Sequence, residues 1–270
     1  MTSGSGTSPH EPPARRWPRL VANLALSSAA CLTIAACARA ASTDPTPSPT
    51  PPNKTTGLPR PTRTPPPPTR TAIPEHRMGL GVPDYEDNFQ IDSGWETGPS
   101  ARGAVSRLDD KLVVSVRGPA SILSSLSPAG PLADFFVEIE VRSEICEAGD
   151  EYGLMVRAGG RGSPWQDSHY RFLITCGGAV RASRFLSGVE GAVQPITPSA
   201  DVIPGAPAVN RIGVSAIGDQ FRFFVNDIQV FQFEDGEIPG GRIGVIVRSR
   251  RGAQTTVSFD DFRLWDLAEG

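Results

Sequence analysis

Aromatic and polar residues between positions 152 and 170 are the first candidates for chemistry. They are Tyr152, Arg157, Trp165, Gln166 and Tyr170, in or beside one long glycine-rich loop. Aromatic rings offer flat apolar platforms and Arg or Gln adds hydrogen bonds, a mixture typical of sites that bind sugars or similar polar ligands. The structural alternative places the two tyrosines in the core or its rim, with Trp165 closing one end of the fold.

Residues for acid–base or nucleophilic catalysis are scarce. His169 is the only histidine after residue 83, so any Ser–His–Asp arrangement would depend on it. It ends the loop that contains Trp165 and Gln166, at a predicted strand start, which favours a solvent-facing loop histidine over a catalytic base. Glu138 and Glu140 alternate on one segment, which is typical of a solvated strand face with charge pairs. The sequence therefore predicts no catalytic residue.

The sequence contains few candidate metal ligands. Asp260 and Asp261 could supply oxygen ligands to calcium, but two adjacent aspartates form a weak pattern, and no other cofactor is indicated. Cys146 and Cys176 lie 30 residues apart, outside any CxxC motif or histidine cluster, so a zinc site is not expected. In an exported chain this pair predicts a disulfide between neighbouring strands, or between a loop and a strand. Two free buried thiols are the alternative.

Charge is distributed unevenly along the chain. Residues 84–270 contain 17 basic and 26 acidic residues, a net charge of −9, whereas residues 1–83 carry +6. An acidic domain argues against nucleic acid as a partner, because phosphate backbones are bound by basic surfaces.

The amino-terminal segment has the layout of an export signal. Arg15, Arg16 and Arg19 precede the uncharged stretch Leu20–Ala36, which is short for a membrane span and typical of a signal peptide. The stretch ends in Ile-Ala-Ala-Cys, which resembles the bacterial lipobox. That resemblance implies cleavage before Cys37 and a lipid on its sulfur, hence a signal peptide over 1–36 and a membrane-anchored, extracytoplasmic protein. An ordinary cleavage after Ala40 or Ala41, or an uncleaved anchor, remains open.

A proline-rich linker follows the anchor. Residues 42–74 contain twelve prolines, a composition that cannot bury a core and that favours an extended polyproline II path. At about 3.1 Å per residue the linker would reach roughly 100 Å. We assign residues 37–83 to a lipid-anchored, disordered linker and residues 84–270 to one folded domain.

Alternating hydrophobicity after residue 84 predicts β-strands. In Asn210–Phe233 three apolar runs are separated by the turn pairs Gly218-Asp219 and Asn226-Asp227, which predicts a three-stranded antiparallel meander. The apolar spacing changes at Asp260-Asp261, which predicts a β-bulge. Further predicted strands are Lys111–Arg117, Ser121–Leu126, Asp134–Ser143, Glu151–Ala158, Tyr170–Cys176, Ala179–Leu186, Arg242–Arg248 and Thr255–Leu267. We expect eleven to thirteen short strands and an all-β antiparallel sandwich, with residues 187–207 mostly loop.

Several of these segments together resemble one superfamily. They include Asp87-Asn88-Phe89 with Gly94-Trp95, Tyr152-Gly153-Leu154 with Arg157, Asn210-Arg211-Ile212, Gly241-Arg242-Ile243-Gly244 and Phe259-Asp260-Asp261-Phe262. The domain is similar to the concanavalin A-like lectin/glucanase superfamily, and more narrowly to its bacterial surface and keto-disaccharide hydrolase-like branch. The resemblance implies a jelly roll. Its matching positions are turns and core residues, which specify the fold and not the ligand.

The resemblance also sets an expectation for catalysis. The glucanase branch carries Glu-x-Asp-x-Glu on one strand, whose alternate carboxylates serve retaining hydrolysis. The corresponding segment here is Glu138-Ile139-Glu140-Val141-Arg142, in which Glu140 replaces the aspartate and Arg142 replaces the third carboxylate. That catalytic pair cannot be assembled on this strand.

Three functions remain open. The first is a non-catalytic surface module that binds a glycan or another cell-envelope polymer. The second is a glycan hydrolase of the keto-disaccharide type, and the third is a structural or sensory envelope protein that binds protein partners. The sequence does not fix an oligomeric state.

Overall fold

The computed structural model describes residues 74–159 and 167–268, which form two antiparallel β-sheets. This confirms the predicted all-β sandwich. The predicted signal peptide, Cys37 and the linker up to residue 73 lie outside the described residues. Within the described ranges, no helix has the length and apolar character needed to cross a membrane.

Fifteen strands are present in the described chain. In order they are β1 (Tyr85–Asp87), β2 (Gly98–Ser100), β3 (Gly103–Leu108), β4 (Lys111–Arg117), β5 (Ile122–Leu126), β6 (Phe135–Ile145), β7 (Glu151–Ala158), β8 (Ser168–Thr175), β9 (Ala179–Leu186), β10 (Val189–Pro198), β11 (Ala208–Ile217), β12 (Gln220–Val225), β13 (Ile228–Glu234), β14 (Arg242–Arg248) and β15 (Gln254–Asp266).

The strands divide into a large and a small sheet. The large sheet has the order β13-β12-β11-β6-β15-β4-β3-β2, with β1 paired to β15, and the small sheet has the order β10-β9-β8-β7-β14-β5. Every strand pair is antiparallel. Neighbours such as β11 with β6 and β14 with β7 are distant in sequence, so the sheets form only when remote segments meet.

The core lies between the two sheets and is built from the inward half of each alternation. Ile212, Val214 and Ala216 on β11 are fully buried, as the meander pattern predicts. Phe172 on β8 of the small sheet stacks against Phe233 on β13 of the large sheet, with ring centroids 5.7 Å apart. Aromatic packing between facing sheets buries large apolar areas and stabilises the sandwich.

The predicted turns and the predicted bulge are present. Gly218 has φ of 58°, and Asn226 and Asp227 have φ of 50° and 70°, the left-handed conformation that tight hairpins require. The pairing of β15 with β6 shifts register between Asp260 and Arg263, and Asp261 has φ of 52°. Asp260-Asp261 is therefore the bulge that the apolar spacing predicts.

The Cys146–Cys176 disulfide is present and joins the two sheets. Cys146 follows β6 of the large sheet and Cys176 follows β8 of the small sheet, with their Cα atoms 6.2 Å apart. The prediction of this disulfide is confirmed. The bond crosses the sandwich, whereas the sequence suggested neighbouring strands or a loop and a strand.

Residues 75–81, which we call the N-terminal strap, pack on the outer face of the large sheet. The strap begins with a 3₁₀ turn (Glu75–Arg77), and the His76 ring stacks on Phe224 at 4.5 Å between centroids. Trp265 donates from Nε1 to the Gly81 carbonyl at 3.2 Å. Contacts with the sandwich thus begin ahead of residue 84, the predicted start of the domain.

The strap also changes the interpretation of Glu138. Arg77 Nε lies 2.7 Å from Glu138 Oε2, and Arg211 and Arg263 approach Oε1 at 3.5 and 3.4 Å. The prediction of charge pairs on this face is correct. The prediction that Glu138 is solvated is wrong, because only 1% of the residue remains exposed.

Candidate functional site

Two of the predicted ligand residues, Tyr152 and Tyr170, lie in the core. Both are fully buried. The Tyr170 hydroxyl donates to Asp235 Oδ1 at 2.7 Å and accepts from the Ile238 backbone N–H at 3.3 Å. Burial, together with the hydrogen bond to Asp235, raises the pKa of Tyr170. Rings enclosed in this way cannot present a face to a sugar. The two tyrosines are therefore core residues, which is the alternative to a ligand-binding role that the sequence left open.

Arg157 is also buried, and it holds the loops at one end of the sandwich. Its guanidinium donates to the backbone carbonyls of Ala133 (2.7 and 3.1 Å), Gly218 (2.7 Å) and Ile238 (3.0 Å). Its Cζ lies 4.7 Å from the centre of the Phe221 ring. These contacts occupy the fork of donors that a ligand would need. Trp165 and Gln166 lie outside the described residues, and their ligand role stays a prediction.

His169 lies at the start of β8, as predicted, but the prediction that it faces solvent is wrong. It is 1% exposed and stacks on Phe185 with ring centroids 5.1 Å apart. Arg171 Nε donates to His169 Nε2 at 2.8 Å. The alternation of β8 directs His169 away from the core, and its packing there explains the burial.

The two calcium candidates carry cationic partners. Lys111 Nζ lies 3.2 Å from Asp260 Oδ2, and Arg211 and Arg263 each lie 2.8 Å from an Asp261 carboxylate oxygen. Among residues 74–159 and 167–268, no group of three or more His, Cys, Asp or Glu side chains could hold a metal ion. The calcium hypothesis stays a prediction without support from these contacts.

The structure brings together a different set of residues on the outer face of the small sheet. On β9, Val180 and Ala182 point into the core, so Arg181 and Ser183 point to the opposite side. We call this side the polar face, and its members are Glu151, His169, Arg171, Arg181, Ser183, Phe185, Glu190, Arg248 and the adjoining Arg250. Antiparallel pairing places Arg171 opposite Ser183 and Glu151 opposite Arg248.

Arg181 bridges the two carboxylates of the polar face. Its NH1 donates to Glu151 Oε1 at 3.0 Å, and its NH2 donates to Glu190 Oε1. Arg250 NH2 also donates to Glu151 Oε1, at 2.7 Å. Arg248 NH1 lies 3.6 Å from Glu151 and 3.5 Å from Glu190. These contacts fix the positions of both carboxylates, because each carboxylate has at least two guanidinium partners.

The polar face has a buried floor and a partly open rim. The Glu151 side chain is fully buried, whereas those of Arg248 and Glu190 are 25% and 27% exposed. Burial tends to raise the pKa of Glu190, but the charges of Arg181, Arg171 and Arg248 outweigh it and bring the pKa below its ordinary value. Burial lowers the pKa of the Arg171 guanidinium despite the opposing charge of Glu190.

This electrostatic setting suits recognition better than proton transfer. A glycosidase needs one carboxylic acid that keeps its proton near neutral pH, which requires a raised pKa. Glu190 has the opposite shift, and Glu151 accepts hydrogen bonds from two guanidiniums. The face instead offers fixed donors and acceptors beside the Phe185 ring.

Single-strand patterns do not reveal the polar face. The sequence assigns Arg171 to the outward positions of its strand and gives Glu151, Arg181 and Arg248 no role. Their meeting depends on the register of four strands, which comes from remote parts of the chain. The one available indication is the recurrence of arginine at outward positions of predicted strands, at 171, 181 and 248.

Surface depressions also occur away from the polar face. One is lined by Tyr85, Asp87, Ser93 and Asp261, but Asp87 already accepts hydrogen bonds from Ser93, Tyr85 and the Trp95 indole. A second follows the β12–β13 hairpin. In the depression at Asp87, the central carboxylate already has hydrogen-bond partners within the protein. The depression along the β12–β13 hairpin contains fewer polar groups than the polar face. We therefore consider the polar face the better candidate.

Comparison with known proteins defines the fold and no closer relationship. No protein-family model matches the sequence. No curated protein matches it either. Among solved structures, the chain is similar to a native glycosidic hydrolase, with 12% identity over 70% of this chain and 98% of that one and a TM-score of 0.52.

Two further structures show the same likeness. One is the β-glucanase of Bacillus licheniformis, with 11% identity over 68% of this chain and 98% of that one and a TM-score of 0.50. The other belongs to work on endo-acting O-glycanases of the human gut microbiota, with 12% identity, coverage of 69% and 100%, and a TM-score of 0.50. At these identities the likeness concerns the fold, and the chain is a jelly-roll β-sandwich.

Proposed function

We propose that this protein is a non-catalytic glycan-binding module whose binding surface is the polar face. The observation that carries the proposal is the set of fixed guanidinium, carboxylate and hydroxyl groups on one sheet face, beside the Phe185 ring. The fold supports it by analogy, because structures with the same sandwich are named as a glucanase and a glycosidic hydrolase. Fold analogy alone does not define a ligand.

The chemistry of sugars matches this surface. A pyranose presents hydroxyl groups around its edge and C–H groups on its faces, so it needs both hydrogen-bonding side chains and an apolar ring. Glu190, Arg248 and Arg250 are the most accessible charged groups, and each already has a partner that fixes its orientation. Pre-oriented groups lose little entropy on binding.

A glycan array with the full chain, purified in detergent, tests the proposal. We expect binding to at least one glycan, and we expect Arg248→Gln to weaken that binding by about tenfold, because a charge-assisted hydrogen bond contributes about 1.5–3 kcal/mol. Arg142→Gln is the matched control, since Arg142 is 43% exposed and pairs with Glu144 on the large sheet. Trp165→Ala tests whether Trp165, which the sequence predicts as a ligand-binding residue, contributes to glycan binding. A folded chain that binds no glycan would refute the proposal.

One observation favours a second candidate, glycan hydrolysis. Glu151 and Glu190 lie on one face and share Arg181 as a partner, and paired carboxylates are the machinery of most glycosidases. Incubation of the array glycans with the protein, followed by assay of new reducing ends, separates the two functions. Release that disappears in both Glu151→Gln and Glu190→Gln would establish the enzyme.

We further propose that the protein is anchored outside the cytoplasm through a lipid on Cys37. The lipobox-like segment supports this location, and so does the Cys146–Cys176 disulfide, because such bonds persist in oxidising compartments. Cys37→Ala should move the protein from the membrane fraction to the soluble fraction and abolish labelling by a palmitate analogue. Unchanged fractionation without label would contradict lipid anchoring.

A further inference from the structure

The charges of the polar face do not balance. Its ion pairs connect four guanidiniums, those of Arg171, Arg181, Arg248 and Arg250, to only two carboxylates, those of Glu151 and Glu190. Within the described chain this leaves two more positive than negative charges on a largely buried surface, in a domain that is acidic as a whole. Buried charges are normally paired, so a surplus of this kind is costly unless a ligand compensates it.

Arg171 is held in place, while most of its donors have no partner among the described residues. Its Nε donates to His169, and its Cζ lies 4.6 Å from the centre of the Phe185 ring. Its NH1 lies 3.7 Å from Glu190 Oε1, which is too long for a hydrogen bond. A guanidinium has five N–H donors, and among the described residues only the Nε donor of Arg171 has a hydrogen-bond partner.

One hydroxyl group next to these cations also makes no hydrogen bond of ordinary geometry among the described residues. Ser183 lies directly opposite Arg171 in the β8–β9 pairing. Ser183 is buried, and within the described part of the chain its Oγ makes no hydrogen bond of ordinary geometry. It lies close enough to Glu190 to help lower the pKa of that carboxylate. Nearly all buried polar groups are hydrogen-bonded in native proteins, so unused donors beside surplus cations indicate a place for an acceptor.

We propose that the polar face binds an oxyanion, the carboxylate or phosphate group of an acidic glycan, between Arg171 and Ser183. The planar guanidinium fork matches two oxygens of such a group, and the Ser183 hydroxyl can donate to one of them. Glu190 stands at the rim and accepts from neighbouring sugar hydroxyls. This inference rests on the proposed glycan-binding function and names the class of glycan.

Binding measurements on the full chain in detergent test the inference. The probes are oligogalacturonate, its fully methyl-esterified form, a glycerol-phosphate oligomer and a neutral xylan oligomer. We expect the free acid or the phosphate oligomer to bind at least about tenfold more tightly than the ester and the xylan, because a charge-assisted hydrogen bond contributes about 1.5–3 kcal/mol. The preferred acidic probe identifies whether carboxylate or phosphate is the natural group.

Substitutions locate the site. Arg171→Gln should remove the preference for the acid, and Arg171→Lys should restore it only in part, because lysine lacks the bidentate fork. Ser183→Ala deletes a hydroxyl that has no ordinary hydrogen bond among the described residues, so it should weaken binding of the acidic probe by about threefold to tenfold without lowering the thermal midpoint. Arg142→Gln removes the same charge from the large sheet and should change nothing.

The outcomes separate the inference from the function on which it rests. Equal binding of the free acid and its ester, unchanged in Ser183→Ala, would overturn the oxyanion inference and leave glycan binding intact. Failure of the folded chain to bind any of the four probes or any glycan on the array would overturn both. Acid-selective binding that survives both Arg171→Gln and Ser183→Ala would also overturn the inference.

Discussion

Arg157 illustrates how a residue that sequence places in a binding site can hold the fold together. Its guanidinium donates to three backbone carbonyls from separate loops, those of Ala133, Gly218 and Ile238. Arg157→Lys should lower the free energy of unfolding by about 3 kcal/mol or more, because one ammonium cannot reach all three carbonyls and each buried, unpaired acceptor costs about 1–3 kcal/mol. Urea unfolding measures the loss.

The matched control for this substitution is Arg142→Lys on the large sheet. Arg142 pairs with Glu144 at 3.1 Å and its side chain is 43% exposed, so we expect a change below about 0.5 kcal/mol. An equal effect of the two substitutions would contradict the role assigned to Arg157. If Arg157→Lys abolished glycan binding without lowering stability, Arg157 would be a ligand-binding residue and not a structural one.

Glu190 gives the polar face a defined pH dependence. Its folded-state pKa lies below the ordinary value of 4.5 because the charges of Arg181, Arg171 and Arg248 outweigh the effect of burial. A group with a lowered folded pKa stabilises the protein above its unfolded pKa, and this contribution disappears as pH falls through the folded pKa. At pH 7 the free energy of unfolding of the wild type should therefore exceed that of the Glu190→Gln variant by about 1 kcal/mol.

The same comparison at acidic pH completes the prediction. The difference between wild type and Glu190→Gln should stay constant down to about pH 5 and shrink toward zero below pH 4.5, because the protonated carboxyl then resembles the amide. Chemical denaturation at several pH values measures it. A difference that grows as pH falls would mean that the folded pKa of Glu190 is raised.

At the scale of elements, the N-terminal strap packs on the sandwich although it falls within the predicted linker, residues 37–83. It covers Phe224 and Phe136 on the large sheet and supplies Arg77 to the buried Glu138. A chain that starts at residue 84 should be about 2 kcal/mol less stable than one that starts at residue 67, because Glu138 loses one of its three guanidinium partners and a hydrogen bond to a charged group contributes about 1.5–3 kcal/mol. Equal denaturation midpoints of the two truncated chains would show that the strap is dispensable.

The strands that sequence predicts well are those with an apolar row directed into the core. Predicted and observed bounds coincide for β4, β7, β9 and β14, because each of these strands places apolar residues into the core at alternate positions. The sequence predicts mostly loop where β10 lies, because its ten residues are largely exposed and include two prolines. The sequence does not predict β3, in which only Gly103 and Val105 are buried, or β2, whose three residues are all exposed.

The polar face cannot be predicted from the sequence for a different reason. Alternation shows that Arg171, Arg181 and Arg248 point away from the core, but not that they meet. Their meeting requires the order β9-β8-β7-β14 within the small sheet. Glu138 is another residue whose environment a local pattern does not show, because its partner Arg77 lies 61 positions earlier in the sequence. Side-chain chemistry is local in the sequence, whereas burial and pairing depend on the whole fold.

At the scale of the whole molecule, the disulfide links the two sheets at one end of the sandwich. Cys146 and Cys176 close a segment of 30 residues that contains β7 and β8. Closure of a loop of that length in the unfolded chain removes conformational entropy equivalent to about 3–4 kcal/mol. The double substitution Cys146→Ser and Cys176→Ser should therefore lower the free energy of unfolding by about that amount.

This stabilisation should appear without a large change at the polar face, because neither cysteine belongs to it. Urea unfolding of wild type with and without a reductant, beside the double variant, separates loss of the bond from the effect of the serines. Reduced wild type and the double variant should have similar midpoints, both below that of oxidised wild type. If reductant leaves the midpoint unchanged, or if both thiols of the native protein can be alkylated, the two sheets are held by their core alone. In that case the disulfide would no longer support an oxidising location, and the proposal of export would rest on the amino-terminal sequence.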